Sequence, residues 1–263
     1  MTTPNTSDFA TFSKGVDFGK AATDYRKFRA GFPQEFFERI ARQLNLRSGL
    51  QALDLGTGTG TVARGLAELG LEVIGLDPSD ALMEQAVALD AEAGVSVEYR
   101  VGRAEELPFE SEAFDLVTAG QCWHWFDRPR AAAECMRALK PGARLIICHF
   151  DWIPLPGNMV GATEAMILEA NPQWLPMSGG TGVYPQWLGD LAIAGFCDLE
   201  TASFDVAQTY SHEAWIGRIK ASLDEAATEQ FAERLAAMLK ADFPDDPLAV
   251  PHRVWWVSAR KPA

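Results

Sequence analysis

The sequence has few cysteines, no long apolar run and a shortage of positive charge, and each shortage excludes a class of protein. Four cysteines stand among 263 residues, none in a C-x-x-C pair or at zinc-finger spacing, so neither a disulfide scaffold nor a metal site is predicted. No run approaches 18 apolar residues, so no membrane span is expected. Lys and Arg number 23 against 36 Asp and Glu, a net charge of −13, which disfavours nucleic acid and anionic membranes as partners.

The rest of the composition is typical of a globular protein. Hydrophobic residues make up 48% of the chain and charged residues 22%, enough for a sizeable core in one large domain or a core with an insertion. The first eight residues are polar, so no signal peptide is visible. Scattered single cysteines fit a reducing compartment. We therefore expect a cytoplasmic protein, either a monomer or a homodimer.

Short apolar runs alternate with helical patterns through the first 150 residues. A first helix is expected at Gln34–Leu44, where apolar residues recur at helical spacing. The expected strands that follow are Leu50–Leu55, Leu71–Leu76, Val95–Val101, Phe114–Ala119 and Arg144–Phe150, and the helices between them are Thr61–Leu69, a segment from Ser79 or Asp80 to about Ala91, and Asp127–Leu139. Strands that alternate with helices predict an α/β fold: a Rossmann-like, mostly parallel, seven-stranded sheet with helices on both faces.

After residue 150 the alternation stops. Prolines and glycines crowd residues 152–183, which predicts an insertion or lid, and a helix at Tyr184–Ala194 follows. A sixth strand is expected at Asp198–Val206, a helical pair from Ser211 to about Lys240, and a last strand at Pro251–Ala259. We divide the chain into a tail and cofactor-capping segment (1–32), a Rossmann-like core (33–151), a lid and helical substrate region (152–250) and the last strand (251–263).

A glycine-rich loop carries the clearest chemical signal. The first expected strand runs into Gly56-Thr57-Gly58-Thr59-Gly60 and then a helix, a pattern that lets the backbone approach a nucleotide closely. On its own this pattern is ambiguous. Residues 58–63 also satisfy the G-x-G-x-x-A pattern of dinucleotide sites, and a tight turn without a ligand would look the same.

Three further features narrow the choice. Asp54 stands two residues before the first glycine, where a carboxylate suits an ammonium group better than a pyrophosphate. Asp77 ends the second strand, where an acid can accept hydrogen bonds from both ribose hydroxyls of either NAD or S-adenosylmethionine (SAM). The turn at residues 102–109, after the third strand, can meet the edge of an adenine ring.

Taken together, these motifs resemble the class I SAM-dependent methyltransferases, in the small-molecule branch that includes ubiquinone-, menaquinone- and trans-aconitate-type enzymes. The matching stretches are LDLGTGTG, VIGLDPS, GRAEELPF, FDLVTAGQCWHWFD and LKPGARLII, which fall between about residues 20 and 150. The resemblance implies a fold that binds SAM, releases S-adenosylhomocysteine (SAH) and methylates an O, N, S or C atom of a small molecule.

The same resemblance implies roles for individual residues. The implied cofactor contacts in the core are Asp54, Gly56, Thr57, Gly58, Gly60, Asp77, Pro78, Ala104, Glu105 and Gln121. Asp77 would hold the ribose, Glu105 would lie near adenine, and Gln121 would face the methionine end. At position 103 many relatives have an Asp that accepts from the adenine amino group. Arg103 cannot accept a hydrogen bond, so that contact must come from elsewhere, for example Glu105, or be absent.

The amino-terminal run Tyr25-Arg26-Lys27-Phe28-Arg29 resembles the segment that folds over the cofactor in related enzymes. Tyr25 would then cap SAM and Arg29 would pair with its carboxylate. The alternative is that both residues only anchor a surface helix.

Candidates for the chemistry lie after the fourth strand and at the end of the fifth. His124 and His149 are the candidate bases, because histidine changes its charge near neutral pH. For each, the alternative is a packed histidine that hydrogen-bonds within the protein, and we favour this alternative for His124. Trp123 could contact cofactor or substrate, whereas Trp125 is expected in the core.

Aromatic and basic side chains further along could bind the acceptor. Trp152 follows the fifth strand, and Trp215 and Arg218 share one face of a helix because they stand three residues apart. Arg218 could recognise a carboxylate or phosphate, or could form a surface ion pair.

Three functions remain open on the residues alone. The first is methyl transfer from SAM to a small apolar or aromatic metabolite. The second is an NAD-dependent oxidoreductase, which should carry a hydride-site constellation such as a Tyr/Lys pair, and none is found. The third is a module that binds SAM without catalysis, since a fold alone does not prove an activity.

Overall fold

The computed structural model describes residues 31–172, 174, 180–220 and 228–263. Seven strands form one sheet in the order β3-β2-β1-β4-β5-β7-β6. They are β1 (Gln51–Leu55), β2 (Glu72–Asp77), β3 (Glu98–Val101), β4 (Phe114–Gly120), β5 (Leu139–Trp152), β6 (Cys197–Tyr210) and β7 (Leu248–Arg260). Strands β1 to β5 pair in parallel, and β7 pairs antiparallel with both β5 and β6. The predicted fold class, a mostly parallel seven-stranded sheet, is confirmed.

Eight α-helices lie within the described ranges. They are α1 (Gln34–Leu44), α2 (Thr61–Glu68), α3 (Asp80–Ala93), α4 (Arg128–Ala138), α5 (Met159–Ala170), α6 (Gln186–Ile193), α7 (His212–Lys220) and α8 (Thr228–Asp242). Local chemistry fixes several of their ends. Asp127 accepts from the Arg130 N–H at the start of α4, and Asn158 accepts from the Gly161 N–H at the start of α5. None of the helices in these ranges is long and apolar enough to cross a bilayer.

Alternating side chains of the buried strands supply two core layers, one on each face of the sheet. In β1, Leu53 and Leu55 face a layer that includes Trp123 and Trp187, whereas Ala52 faces the layer that contains α1. Each layer contains fully buried large side chains, such as Trp123 in the first and Phe36 in the second. The parallel part of the sheet is therefore covered on both sides, as expected of a sheet built from strand–helix–strand units.

A third core lies apart from these two layers. It joins α5, α7 and α8 with the last residue of β6 and the first residues of β7, and is centred on the fully buried Trp215. We call α5, α7 and α8 the helical cap. Because β5 ends at Trp152, which packs on this third core, the cap adjoins the carboxyl end of β5. That edge is where α/β sheets bind their ligands.

Four strand boundaries differ from the sequence prediction by three residues or more. Two of them are the end of β6, at Tyr210 and not at Val206, and the start of β7, at Leu248 and not at Pro251. Strand β3 begins at Glu98 and not at Val95, because the Val95 N–H donates to the Asp90 carbonyl and completes the end of α3. Strand β5 begins at Leu139 and not at Arg144, so residues 140–142 belong to the strand. The proposed division of the chain into four segments stays a prediction.

Candidate active site

The glycine loop after β1 takes a conformation that favours glycine. Gly58 and Gly60 have φ values of +54° and +75°, in the left-handed region that side chains with a Cβ rarely adopt. A Cβ on Gly60 would lie 2.3 Å from the Tyr99 hydroxyl oxygen, whereas a Cβ on Gly58 would meet no atom within 4 Å. The two glycines therefore serve different needs: Gly60 allows close packing inside the protein, and Gly58 leaves open space beside the loop.

Asp77, at the end of β2, faces this loop. Its two carboxylate oxygens accept hydrogen bonds from the backbone N–H groups of Gly58, at 2.9 Å, and of Ser79, at 2.8 Å. The side chain is mostly buried, and this burial raises the pKa of its carboxyl. Each oxygen keeps a second lone pair. The group can therefore accept hydrogen bonds from a ligand while it holds the loop.

Asp54 lies on the inner side of the loop and is 1% exposed. Its carboxylate accepts from the hydroxyls of Thr57, at 2.7 Å, and Thr118, at 2.6 Å. Burial raises its pKa from 3.8 to about 6, although both hydroxyls act in the opposite direction. The Thr57 hydroxyl is thus directed at Asp54. The predicted contacts of Asp54 and Thr57 with a cofactor stay predictions.

A buried network supports the loop from below, and the sequence analysis did not identify it. The Arg64 guanidinium donates to the Thr59 carbonyl of the loop at 2.9 Å and pairs with Asp90 at 2.8 Å. The Tyr99 hydroxyl donates to the same Asp90 at 2.8 Å. These residues belong to two helices and a strand. No local pattern links them, so only the assembled fold reveals the network.

The turn after β3 lies beside the start of α4. Ala104 is buried in it, and the Glu105 carboxylate accepts from the Asp127 N–H at 2.9 Å. Pro78, after β2, is exposed. The structure thus places Glu105 as a link between this turn and α4. The adenine contacts proposed for Ala104 and Glu105, and the contact of Pro78, remain predictions.

The segment after β4 closes the same edge of the sheet. Gln121 has a φ of +58°, and its side-chain amide donates to the Phe150 carbonyl at the end of β5. Trp123 is fully buried, and its indole N–H donates to Asp190 at 3.3 Å. Trp125 is 41% exposed, so its expected place in the core is wrong. The cause is the short 3-10 helix Trp123–Trp125, which turns the two indoles to different sides.

The two candidate bases lie close together. The ring centroids of His124 and His149 are 5.7 Å apart. His124 is half-buried and packs on Trp125 at 4.6 Å between centroids. His149 is 1% exposed, and its Nδ1 lies 3.5 Å from Oδ2 of Asp151. The structure therefore brings both histidines to the carboxyl ends of β4 and β5, as expected from the position of His124 after the fourth strand and of His149 at the end of the fifth.

The predicted acceptor-binding residues meet beside the cap. The rings of Trp152 and Trp215 lie edge to face at 5.3 Å, and Arg218 lies over Trp152 at 5.1 Å. Trp215 is fully buried and its indole N–H donates to the Thr163 hydroxyl at 3.1 Å. Burial lowers the pKa of Arg218, and the nearby Tyr210 and Asp151 oppose this effect. The shared face of Trp215 and Arg218 thus packs against Trp152 at the end of β5.

Other features of the chain lie elsewhere or outside the described ranges. Tyr25 and Arg29 belong to residues 1–30, which the structure does not describe. A surface cavity of about 640 Å³ lies at the opposite edge of the sheet, beside Asp115 and Lys140, away from the glycine loop.

Burial raises the pKa of the thiol groups of three cysteines, Cys122, Cys135 and Cys148. Such thiols are poor nucleophiles.

Comparison with known proteins shows which protein family the chain resembles. Residues 53–147 match the family described as "Methyltransferase domain". An uncharacterized methyltransferase of Mycobacterium bovis is 32% identical over 159 residues, which cover 56% of this chain and 59% of that protein. A ubiquinone biosynthesis O-methyltransferase of Bradyrhizobium is 35% identical over 144 residues, which cover 53% of this chain and 54% of that protein. The chain thus spans less than two thirds of the length of either relative.

Solved structures show the same fold. A phosphoethanolamine N-methyltransferase of Haemonchus contortus, solved in complex with SAM, superposes with a TM-score of 0.56 over 99% of this chain and 61% of that chain. The sequence identity is 22%. At this identity the likeness concerns the fold alone.

Proposed function

We propose that this chain, whose residues 53–147 match a methyltransferase domain, is an enzyme that transfers the methyl group of SAM to a small-molecule acceptor. The observation that carries the proposal is the pairing of Asp77 with Gly58. A buried carboxylate with spare lone pairs stands next to a left-handed glycine that opens onto free space. This arrangement suits a ribose, whose two hydroxyls are donors, lying against a backbone without side chains.

The residues present fit SAM at the carboxyl edge of the sheet. Asp77 would hold the ribose, the glycine loop would pass beneath the methionine part, and Gln121 would stand at the methionine end. When bound, SAM supplies a methyl group already activated by a positive sulfur. The chain then has to align an acceptor with that methyl group and exclude water, so a catalytic side chain is needed only if the acceptor must lose a proton.

Asp54 supports the same proposal through its charge. Its carboxylate is held next to the loop with a raised pKa, and a cation placed nearby would favour its charged form. The ammonium and sulfonium groups of SAM are both cations. We therefore expect the affinity for SAM to rise with pH through about pH 6. Below that pH, Asp54 is protonated and must release its proton when SAM binds, which weakens binding.

A small molecule is the acceptor that the surroundings favour. Trp152 and Arg218 lie beside the carboxyl end of β5, where Trp152 packs on the fully buried Trp215. Aromatic walls with one charged group are typical of enclosed small-molecule pockets. The net charge of −13 disfavours nucleic acid as the acceptor.

We also propose a cytoplasmic location, because three of the cysteines are free and buried. A monomer or a homodimer remains our expectation for the assembly.

Thermal melting with added ligands tests the proposal. SAM and SAH should each raise the melting temperature, and NAD should not, because only a ligand of the native state stabilises it. Asp77→Asn should weaken SAH binding by roughly 10- to 100-fold, the worth of a hydrogen bond to a charged group. Asp80→Asn, an exposed acid three residues later, is the matched control and should bind normally. Stabilisation by NAD but not by SAM would show instead that the loop is a dinucleotide site.

Methyl transfer itself needs a separate test, because a module that only binds SAM would pass the first one. Labelled SAM with a panel of candidate acceptors measures transfer directly. Transfer to any small molecule above the rate with buffer alone supports the enzyme. Tight SAH binding without transfer to any acceptor in the panel would favour the non-catalytic module.

A further inference from the structure

His149 is a buried histidine whose ring nitrogens have no hydrogen bond within the part of the chain that the structure describes. The side chain is 1% exposed, and among the described residues neither Nδ1 nor Nε2 has a hydrogen-bond partner. Burial of such polar atoms without partners is costly, so a histidine with only a structural role is normally hydrogen-bonded. A ligand that supplies the missing partner would account for the cost.

Asp151 is placed to orient this histidine. It follows His149 by two residues on β5, so the two side chains lie on the same face of the strand. Oδ2 of Asp151 lies 3.5 Å from Nδ1 of His149 and accepts from the Tyr184 hydroxyl at 2.6 Å. A carboxylate at Nδ1 favours the tautomer with its proton there. Nε2 then carries a lone pair and can take a proton.

The position of His149 in the sheet suits the acceptor end of the proposed site. Along the carboxyl edge, Asp77 ends β2, the glycine loop follows β1, Gln121 follows β4, and His149 lies near the end of β5, in the order of the strands themselves. Neighbouring strands are spaced by about 4.8 Å, so β5 lies roughly 10 Å from β1. A ligand whose ribose is at β2 and whose reactive end lies by β4 would therefore point toward His149.

The walls around His149 indicate the kind of acceptor. The ring packs against Tyr184 at 4.2 Å and Trp187 at 4.8 Å between centroids, and these two rings are themselves stacked at 4.0 Å. Trp255 packs on both of these rings. Tyr184 and Trp187 are 2% and 1% exposed, so an acceptor that reaches the His149 ring would lie against aromatic rings, which suit a planar aromatic molecule better than a sugar or an amino acid. His124, which is half-buried, lies against His149, so solvent comes within one side chain of the ring.

We propose that His149, oriented by Asp151, is the general base that takes the proton from a phenolic hydroxyl of an aromatic acceptor. The inference rests on the proposed function. The acceptor O–H bond breaks and its proton passes to Nε2. The freed electron pair on oxygen forms the new bond to the methyl carbon, while the methyl–sulfur bond breaks and its pair stays on sulfur. The imidazolium afterwards returns the proton to water.

A binding measurement tests the proton transfer without turnover. The probe is 4-nitrophenol, whose ionised form absorbs visible light, added at pH 6 to protein saturated with SAH. Bound to the native protein, the probe should show a higher ionised fraction than in buffer. His149→Gln should abolish this increase, and His212→Gln, a histidine at the start of α7, is the matched control and should keep it. Asp151→Asn is the second variant, should His149→Gln fail to fold, and should reduce the increase.

A rate measurement with phenols of graded acidity tests the same role in turnover. General bases contribute about 10²- to 10⁴-fold. The ratio of native to His149→Gln rate should therefore be of that order for the least acidic phenol, and should fall toward one as the phenols become acidic enough to ionise unaided. A merely structural role would lower all rates by one factor.

The outcomes separate this inference from the proposed function. Failure of the native protein to bind SAH would overturn the proposed function. Normal SAH binding without methylation of any phenol would overturn the acceptor class. An equal ionised fraction of bound probe in native and His149→Gln proteins, or a rate ratio independent of phenol acidity, would overturn the role of His149.

Discussion

Replacement of Asp54 by Asn should make the protein more stable at neutral pH than the native chain. Burial raises the pKa of Asp54 from 3.8 to about 6. Because the folded-state pKa is the higher one, the contribution of this group is fully present below about pH 3.8 and is lost as the pH rises through about 6. A shift of about two units corresponds to about 3 kcal/mol of unfolding free energy.

Asparagine removes the charge and keeps the shape. Its amide oxygen can accept from the hydroxyl of Thr57 or Thr118, and its amide N–H groups can donate to a hydroxyl oxygen. The stability of Asp54→Asn relative to the native protein should therefore rise with pH. About 2 kcal/mol of the total falls between pH 4 and pH 6, and the difference should level off above pH 7.

Urea unfolding of both proteins at unit intervals from pH 4 to pH 8 measures this difference. All other titrating groups are shared, so the difference isolates one carboxyl. Glu84→Gln, which replaces an exposed acid on α3, is the control and should give a difference that does not change with pH. Parallel stability curves for native and Asp54→Asn proteins would refute the reasoning. If Asp54 also faces a cofactor cation, the same variant should bind SAH more weakly above pH 7.

Three further substitutions test packing and polar contacts. Gly60→Ala should destabilise the fold by more than 2 kcal/mol as an order of magnitude, because its Cβ would meet the Tyr99 hydroxyl at 2.3 Å; a melting temperature within one degree of native would contradict this. Gly58→Ala, with the same backbone strain but no atom within 4 Å, should cost only about 1–2 kcal/mol and instead weaken SAH binding. Thr163→Val should cost about 1–3 kcal/mol in urea unfolding, because it leaves the buried Trp215 N–H without its acceptor.

The sequence predicted elements best where a local signal fixed both ends. Helix α1 has the predicted bounds because Pro33 precedes it and Asn45, with a φ of +52°, ends it. The end of α3 is the opposite case. Val95 to Val97 are apolar or small and look like strand residues, but the Val95 N–H is used to complete the helix end. A competition between two uses of one backbone group cannot be predicted from the side chains.

In the candidate site, too, contacts between residues close together in sequence were predicted, and contacts between distant residues were not. The glycine loop and Asp77 follow from residues close together in sequence, and the structure brings them together as expected. The network of Arg64, Asp90 and Tyr99 beneath the loop could not be predicted in this way, because these residues meet only when two helices and a strand have packed. Trp125 was predicted to lie in the core, yet the 3-10 helix Trp123–Trp125 leaves it 41% exposed.

The place of β7 sets an order on how the protein can assemble as it is synthesised. This strand follows β6 in the chain but lies between β5 and β6 in the sheet. Among the strands of the described residues, β6 therefore has none to pair with until β7 has left the ribosome. The third core also waits, because Leu248 and Val250 of β7 belong to it. The edge with Asp77 and the glycine loop, formed by the first five strands, has all its partners much earlier. A nascent chain can therefore complete its cofactor edge while the surface proposed for the acceptor is still unbuilt.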